Sequence, residues 1–88
     1  MFHAVGRASS KPPLLINLTY HGNHHSDYFT AFIGKGICFD TGGLNIKSSS
    51  SIGDMFLDKH GACSCLAGFE QIVKGKLPIN LTVTLGMA

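Results

Sequence analysis

Apolar and polar positions fall in blocks that predict a short series of elements. Leu14-Leu15-Ile16-Asn17-Leu18-Thr19-Tyr20 is a β-type run, and Thr30 to Phe39 is a second, with the polar stretch His21 to Asp27 between them. From Asp40 to Gly53 the chain turns to Thr, Gly, Asn and Ser with little apolar periodicity, which predicts a long loop of functional or disordered character. Ala62, Cys65, Leu66, Phe69, Ile72 and Val73 then recur at helical spacing. Asp58 is placed to cap or open that helix, and Gly75 to end it. After Leu77-Pro78, the alternation from Ile79 to Leu85 predicts another strand. The expected organisation is a lead-in at 1–13, two strands within 14–39, a loop at 40–57, a helix at 58–74 and a strand at 79–86. Strand, strand, loop, helix, strand is the order of an α/β sheet with a crossover helix. Ser9-Ser10-Lys11-Pro12-Pro13 favours an extended or turning lead-in. At the other end, Leu85-Gly86-Met87-Ala88 leaves an apparent strand with no polar tail, so a truncated domain is expected.

Composition narrows this picture. Eighty-eight residues allow one modest core, burying about 60–65% of the unfolded surface. Apolar residues are 44% and charged ones 14%, which excludes a disordered chain and a solvated helical rod. Seven Lys and Arg against five Asp and Glu are scattered along the chain, so neither nucleic acid nor an anionic membrane is indicated as a partner. No run approaches the roughly 20 apolar residues of a spanning helix. Cys38, Cys63 and Cys65 are odd in number, lack C-x-x-C spacing and lie in apolar stretches, so reduced, buried thiols in a cytoplasmic protein are expected. Asn17-Leu18-Thr19 and Asn80-Leu81-Thr82 fit the glycosylation pattern, but each lies inside an apolar run that would not accommodate a glycan.

The chemistry concentrates in Gly34-Lys35-Gly36-Ile37-Cys38-Phe39-Asp40-Thr41-Gly42-Gly43-Leu44-Asn45-Ile46-Lys47. Its glycines permit sharp turns and close approach, and Asp40 falls where strand gives way to loop, a usual place for sites in α/β sheets. Taken alone, the run reads sooner as a glycine-rich turn with a solvated aspartate than as a site. A phosphate loop needs four residues between its first Gly and a Gly-Lys-Ser/Thr, whereas here Gly36 follows Lys35. His21, His24 and His25 are read as an exposed hairpin loop rather than a metal site, and Ser48 to Ser51 as a flexible loop. Lys74 and Lys76 suit the negative end of a helix dipole.

The segment resembles the signature of the cytosolic leucine aminopeptidase family: Gly-Lys-Gly, two residues, a Phe or similar, Asp, Ser or Thr, Gly-Gly, and then Lys. Gly34, Lys35, Gly36, Asp40, Thr41, Gly42, Gly43 and Lys47 match it, and eleven residues later Asp58 falls where the family has its next metal-binding aspartate. Val5-Gly6-Arg7 with Pro12-Pro13 and Lys76-Leu77-Pro78-Ile79-Asn80 resemble the family's flanking segments, so the similarity runs over nearly the whole chain.

The resemblance implies the N-terminal part of a mixed-sheet α/β catalytic domain and a two-metal site using Mn, Zn or Mg. By that resemblance Asp40 bridges both metals, Asp58 binds one, and Lys35 is a neutral amine ligand, a role in which a nearby dication offsets the cost of giving up the proton. Lys47 stays charged and stabilises the oxyanion of the reacting carbonyl. The implied reaction releases the first residue, often leucine, from a peptide substrate, in a cytoplasmic homohexamer. Lys59-His60-Gly61-Ala62 departs from the family's usual Met-Gly-Gly-Ala, and His60, no ligand in the family, is read as a supporting or surface residue. The family's Asn-Thr-Asp-Ala-Glu-Gly-Arg segment, which completes both metal sites and whose arginine holds a bicarbonate, has no counterpart here. Rival readings are a non-enzymatic truncated or degenerate chain that at most binds metal or full-length relatives, and a small nucleotide-binding module.

Overall fold

A computed structural model describes residues 2–88. Three strands form one sheet: β1 Leu14–His21, β2 Thr30–Gly36 and β3 Asn80–Met87, in spatial order β1-β3-β2. β2 and β3 are parallel from Thr30↔Leu81 to Gly36↔Met87, joined through the helix His60–Lys74. A parallel pair needs such a crossover, and the helix serves by covering the sheet. β1 returns antiparallel on the far side of β3, from Leu14↔Met87 to His21↔Asn80.

The central position of β3 follows from its alternation. Leu81 and Val83 are fully buried and Leu85 nearly so, with Thr82 and Thr84 between them. These three meet Ala62 of the long helix, and Leu18, Tyr20, Cys65, Phe69 and Ile72 pack around them. Each such side chain contributes about 1.5–3 kcal/mol on burial. Leu15 and Ile33 remain exposed.

Several expectations are corrected. The lead-in carries a short helix, α1 Phe2–Gly6, with Phe2 lying against Gly86 of β3. β1 and β2 are not neighbours, so the histidine-bearing connection between them is not a hairpin. It is tied down by buried Asn80, which accepts from the Asn23 N–H at 3.0 Å and donates to the carbonyls of Asn23 and Ser26 at 2.9 and 2.7 Å. β2 ends at Gly36 and not Phe39; beyond it the Cys38 N–H still donates to the Ala88 carbonyl at 2.6 Å, and on the other edge the Ile37 N–H donates to the Asp58 carbonyl at 3.1 Å.

The expected loop at 40–57 contains a second short helix, α2 Ser49–Gly53, and a 3-10 turn, Met55–Leu57. The serine run is no flexible tract: Ser48 is the N-cap of α2, its side chain accepting the Ser51 N–H at 3.3 Å. The long helix is α3, and it begins at His60 without a side-chain cap, so Asp58 does not cap it. Gly75 ends α3 as expected, donating to the Gln71 carbonyl at 2.8 Å. Cys38 and Cys63 are exposed and Cys65 half-buried, contrary to the expected buried thiols, because Cys63 lies on a side of α3 away from the sheet. Among the described residues, no helix is long and apolar enough to cross a membrane.

Candidate metal and catalytic site

The site begins with two glycines. A Cβ on Gly34 would lie 2.7 Å from the Ala62 Cα and 3.0 Å from the Gly61 carbonyl oxygen, and one on Gly61 would lie 3.2 Å from the Lys35 nitrogen. Strand β2 and the first turn of α3 therefore run backbone against backbone, which only residues without side chains permit. The Ile37 N–H to Asp58 carbonyl bond locks this junction. As a result Lys35 Nζ lies 3.3 Å from Asp58 Oδ2, with Lys35 largely exposed and Asp58 half-buried. An Asp58 freed from capping is available for this contact.

A second pair forms across the glycine turn. Thr41 accepts both the Ile46 and the Lys47 N–H at 3.0 Å, folding the chain back on itself. Gly42 and Gly43 sit at φ 78 and 137, where L side chains are strained. The Gly42 N–H donates to Asp40 Oδ1 at 2.8 Å, and Lys47 Nζ reaches the same oxygen at 2.9 Å. The hydrogen bond from Lys47 is the main reason the Asp40 carboxyl is held below the usual aspartate range. The Gly42 N–H and the charges of Lys47 and Lys35 add to it, against a desolvation effect in the other direction.

A cavity of about 330 Å³ is lined by Lys35, Lys47, Asp54, Met55 and Asp58, while Asp40 lines a neighbouring cavity with Phe39, Thr41, Gly42 and Gly43. Three of the four residues singled out in the sequence, Lys35, Lys47 and Asp58, line this one cavity, and Asp40 is tied to it through its ion pair with Lys47. The arrangement offers carboxylate oxygens to a cation and amine donors to a developing anion. Asp40, Asp54 and Asp58 supply the carboxylates here, and Lys35 and Lys47 the amines. Among the described residues no group of three or more His, Cys, Asp or Glu is placed to hold a metal by itself.

The histidines do not join the site. His60 contacts the Leu57 carbonyl through Nδ1 at 2.6 Å, and His21 stacks edge-on against Phe29 at 5.0 Å. Sequence reasoning missed Asp54 and Met55. Asp54 carried a signal as an acidic residue four before Asp58, whereas an isolated methionine carries none.

The end of β2 and the loop after it thus carry two lysine–aspartate pairs on a mixed sheet. The match to the cytosol aminopeptidase family, catalytic domain, extends over residues 1–88, and the chain belongs to that family. It is 41% identical over 87 residues to the "Probable cytosol aminopeptidase" of Pseudomonas fluorescens strain Pf0-1, covering 99% of this chain and 18% of that protein. Among solved structures, the cytosol aminopeptidase of Coxiella burnetii superposes with a TM-score of 0.82 at 38% identity, covering 97% of this chain and 18% of that one. The leucyl aminopeptidase of Leishmania major in complex with actinonin gives 0.85 at 29% identity, over 99% and 18%. The chain therefore spans under a fifth of the length of these relatives.

Proposed function

We propose that these residues form part of the active site of a metal-dependent aminopeptidase that releases N-terminal residues, leucine among them, from peptides. The observation that carries the reading is that Lys35, Asp58 and Lys47 line one cavity and that the Lys47–Asp40 ion pair ties Asp40 to it. Each carboxylate already holds a cation, a lysine ammonium, within hydrogen-bonding range, so the donor set fits hard or borderline divalent ions such as Mn, Zn or Mg. Two such ions would supply Lewis-acid activation of the peptide carbonyl and of water.

The roles of the chain's own residues follow. Asp40, Asp58 and Lys35 would hold the ions, the two aspartates through carboxylate oxygens and Lys35 as a neutral nitrogen donor once it has given up its proton. Lys47 keeps its proton and faces the anion that develops on the substrate carbonyl. Three donors do not complete a two-ion shell, so further ligands, and the group that holds bicarbonate, come from outside residues 1–88. The whole protein is proposed as a cytoplasmic homohexamer.

The test is leucine p-nitroanilide hydrolysis by the complete polypeptide carrying this segment, with Mn²⁺ or Zn²⁺ added. Turnover that is lost on chelation and in Asp40→Asn supports the reading. Chelator-resistant turnover, or turnover unchanged in Asp40→Asn, refutes it. The 88 residues alone are expected to be inactive, and turnover there that disappears in Asp40→Asn would show that the donor count is wrong.

A further inference from the structure

We infer that Lys59 and His60 are positioning residues that staple the backbone around Asp58, an inference that rests on the aminopeptidase reading. Asp58 stands between two helical segments, the 3-10 turn Met55–Leu57 and α3, which starts at His60. The last carbonyls of a helix have no partner within it. Here those of Phe56 and Leu57 are taken by side chains from the other side of Asp58: Lys59 Nζ donates to the Phe56 carbonyl at 3.1 Å, and His60 Nδ1 to the Leu57 carbonyl at 2.6 Å. A carbonyl only accepts, so Nδ1 carries the proton in this contact. Two consecutive residues thus reach back three positions each and straddle the aspartate.

The staple stands where an ordinary cap is missing. Neither Asp54 before the 3-10 turn nor Lys59 before α3 makes a side-chain cap hydrogen bond. Asp58 at φ -76, ψ 14 and Lys59 at φ -119, ψ 6 lie in sparsely populated backbone beside the helical region, so regular helix geometry does not fix the bend between the two segments. Helix α3 itself is anchored, since Ala62 belongs to the buried core and Gly61 runs against the Lys35 backbone. Tying the Phe56 and Leu57 carbonyls to the start of that anchored helix holds the turn to it. Asp58 gains direction from this: its carbonyl stays over the Ile37 N–H at 3.1 Å, and its carboxylate 3.3 Å from Lys35 Nζ. Met-Gly in place of Lys59-His60 would supply neither donor, so the departure noted in the sequence is what creates the staple.

The experiment uses the complete polypeptide and compares Lys59→Met and His60→Ala, singly and together, with Lys59→Arg and His60→Asn, which keep a donor. The amides followed are those of Ile37 and Asp58, which bond to the Asp58 and Met55 carbonyls. In the metal-free state their hydrogen exchange should accelerate roughly 3–10-fold in each donor-free variant, the fold-change of one ordinary hydrogen bond, and by about the product in the double variant. The core amides of Leu81 and Val83 should exchange as in wild type, and Lys59→Arg and His60→Asn should stay near wild type at every amide. With Mn²⁺ and leucine p-nitroanilide, kcat should fall by roughly 10-fold or more in the donor-free double variant and stay near wild type in Lys59→Arg and His60→Asn, as expected when an oriented group loses its alignment. Unaltered Ile37 and Asp58 exchange in the double variant would overturn the inference. So would equal acceleration at Leu81 and Val83, which would make the two residues general stabilisers, and so would an unchanged kcat in an active polypeptide. If wild type shows no aminopeptidase turnover, the functional reading fails, while the exchange measurement still decides whether the staple holds Asp58.

Discussion

Gly34→Ala should loosen the junction that brings Lys35 to Asp58. The added methyl would sit 2.7 Å from the Ala62 Cα and 2.8 Å from Leu85 Cδ2, where ordinary contact begins at 3.4 Å. Relief requires β2 and the first turn of α3 to separate by about 0.7 Å, the difference between 3.4 and 2.7 Å. If all of that opening were transmitted, the Lys35–Asp58 pair would stretch from 3.3 Å to about 4.0 Å, the limit of an ion pair. Overpacking of this kind costs about 1–3 kcal/mol, and replacing a strand glycine by alanine regains about 0.5–1 kcal/mol, so a net loss of about 0.5–2 kcal/mol is expected. Pulse proteolysis in urea on the complete polypeptide reads that loss. A Leu85→Val background separates the contributions, since it removes the flexible contact and leaves the backbone one. Gly34→Ala should cost nearly as much there as in the native background. A neutral Gly34→Ala, or its full rescue by Leu85→Val, would refute the backbone-contact argument.

Further outcomes follow from the paired charges. Lys47→Ala in the complete polypeptide should keep metal content near normal and lower turnover by roughly 10²–10³, the effect of losing one oxyanion-stabilising donor; an unchanged turnover number removes Lys47 from the mechanism. Asp40→Asn should weaken both metals and Asp58→Asn mainly one, so equal single-site losses in metal titrations contradict the bridging role. In the metal-free polypeptide Asp40 should titrate below its ordinary value of 3.8, chiefly through Lys47. The linked stability is then present above the unfolded value and lost as pH falls through the lowered one. Carbon NMR of the carboxyl should place the Asp40 midpoint higher in Lys47→Ala than in wild type, and equal midpoints would contradict that cause.

What could be read beforehand depended on whether the determinants were local. The 3.6-residue recurrence from Ala62 to Val73 and the alternation from Ile79 onward are local, and they located α3 and β3 to within a residue or two. Strand order is not local. β3 takes the centre because Leu81, Val83 and Leu85 are covered from both neighbouring strands and from α3, and no pattern in residues 14–39 announces that. Ser48 looked like flexible polarity, yet it is one hydroxyl in the right place to start a helix turn. Asp58 had the composition of a cap, but Lys35 competes for its carboxylate. The Lys47–Asp40 contact depends on two glycines with positive φ and on Thr41 accepting twice, a backbone path that residue types permit without specifying. Met55 entered only through coordinates, since a single buried thioether leaves no periodic trace.

The central placement of the last strand also sets a timetable for synthesis. Among the described residues β1 pairs with β3 alone, and fifty-eight residues lie between His21 and the Asn80 it pairs with. At ribosomal rates of about 5–20 residues per second, that interval lasts roughly 3–12 s. Throughout it, Leu14, Ile16 and Leu18 lack their β3 partners, and β2 lacks the Leu85 and Met87 that later lie against Gly34 and Gly36. Helix α3, whose hydrogen bonds are local, can form on the nascent chain well before the sheet does. The emerging polypeptide is therefore a natural client for chaperones until Leu85 is delivered, and codon choice between residues 22 and 79 becomes a determinant of yield that leaves the finished site untouched.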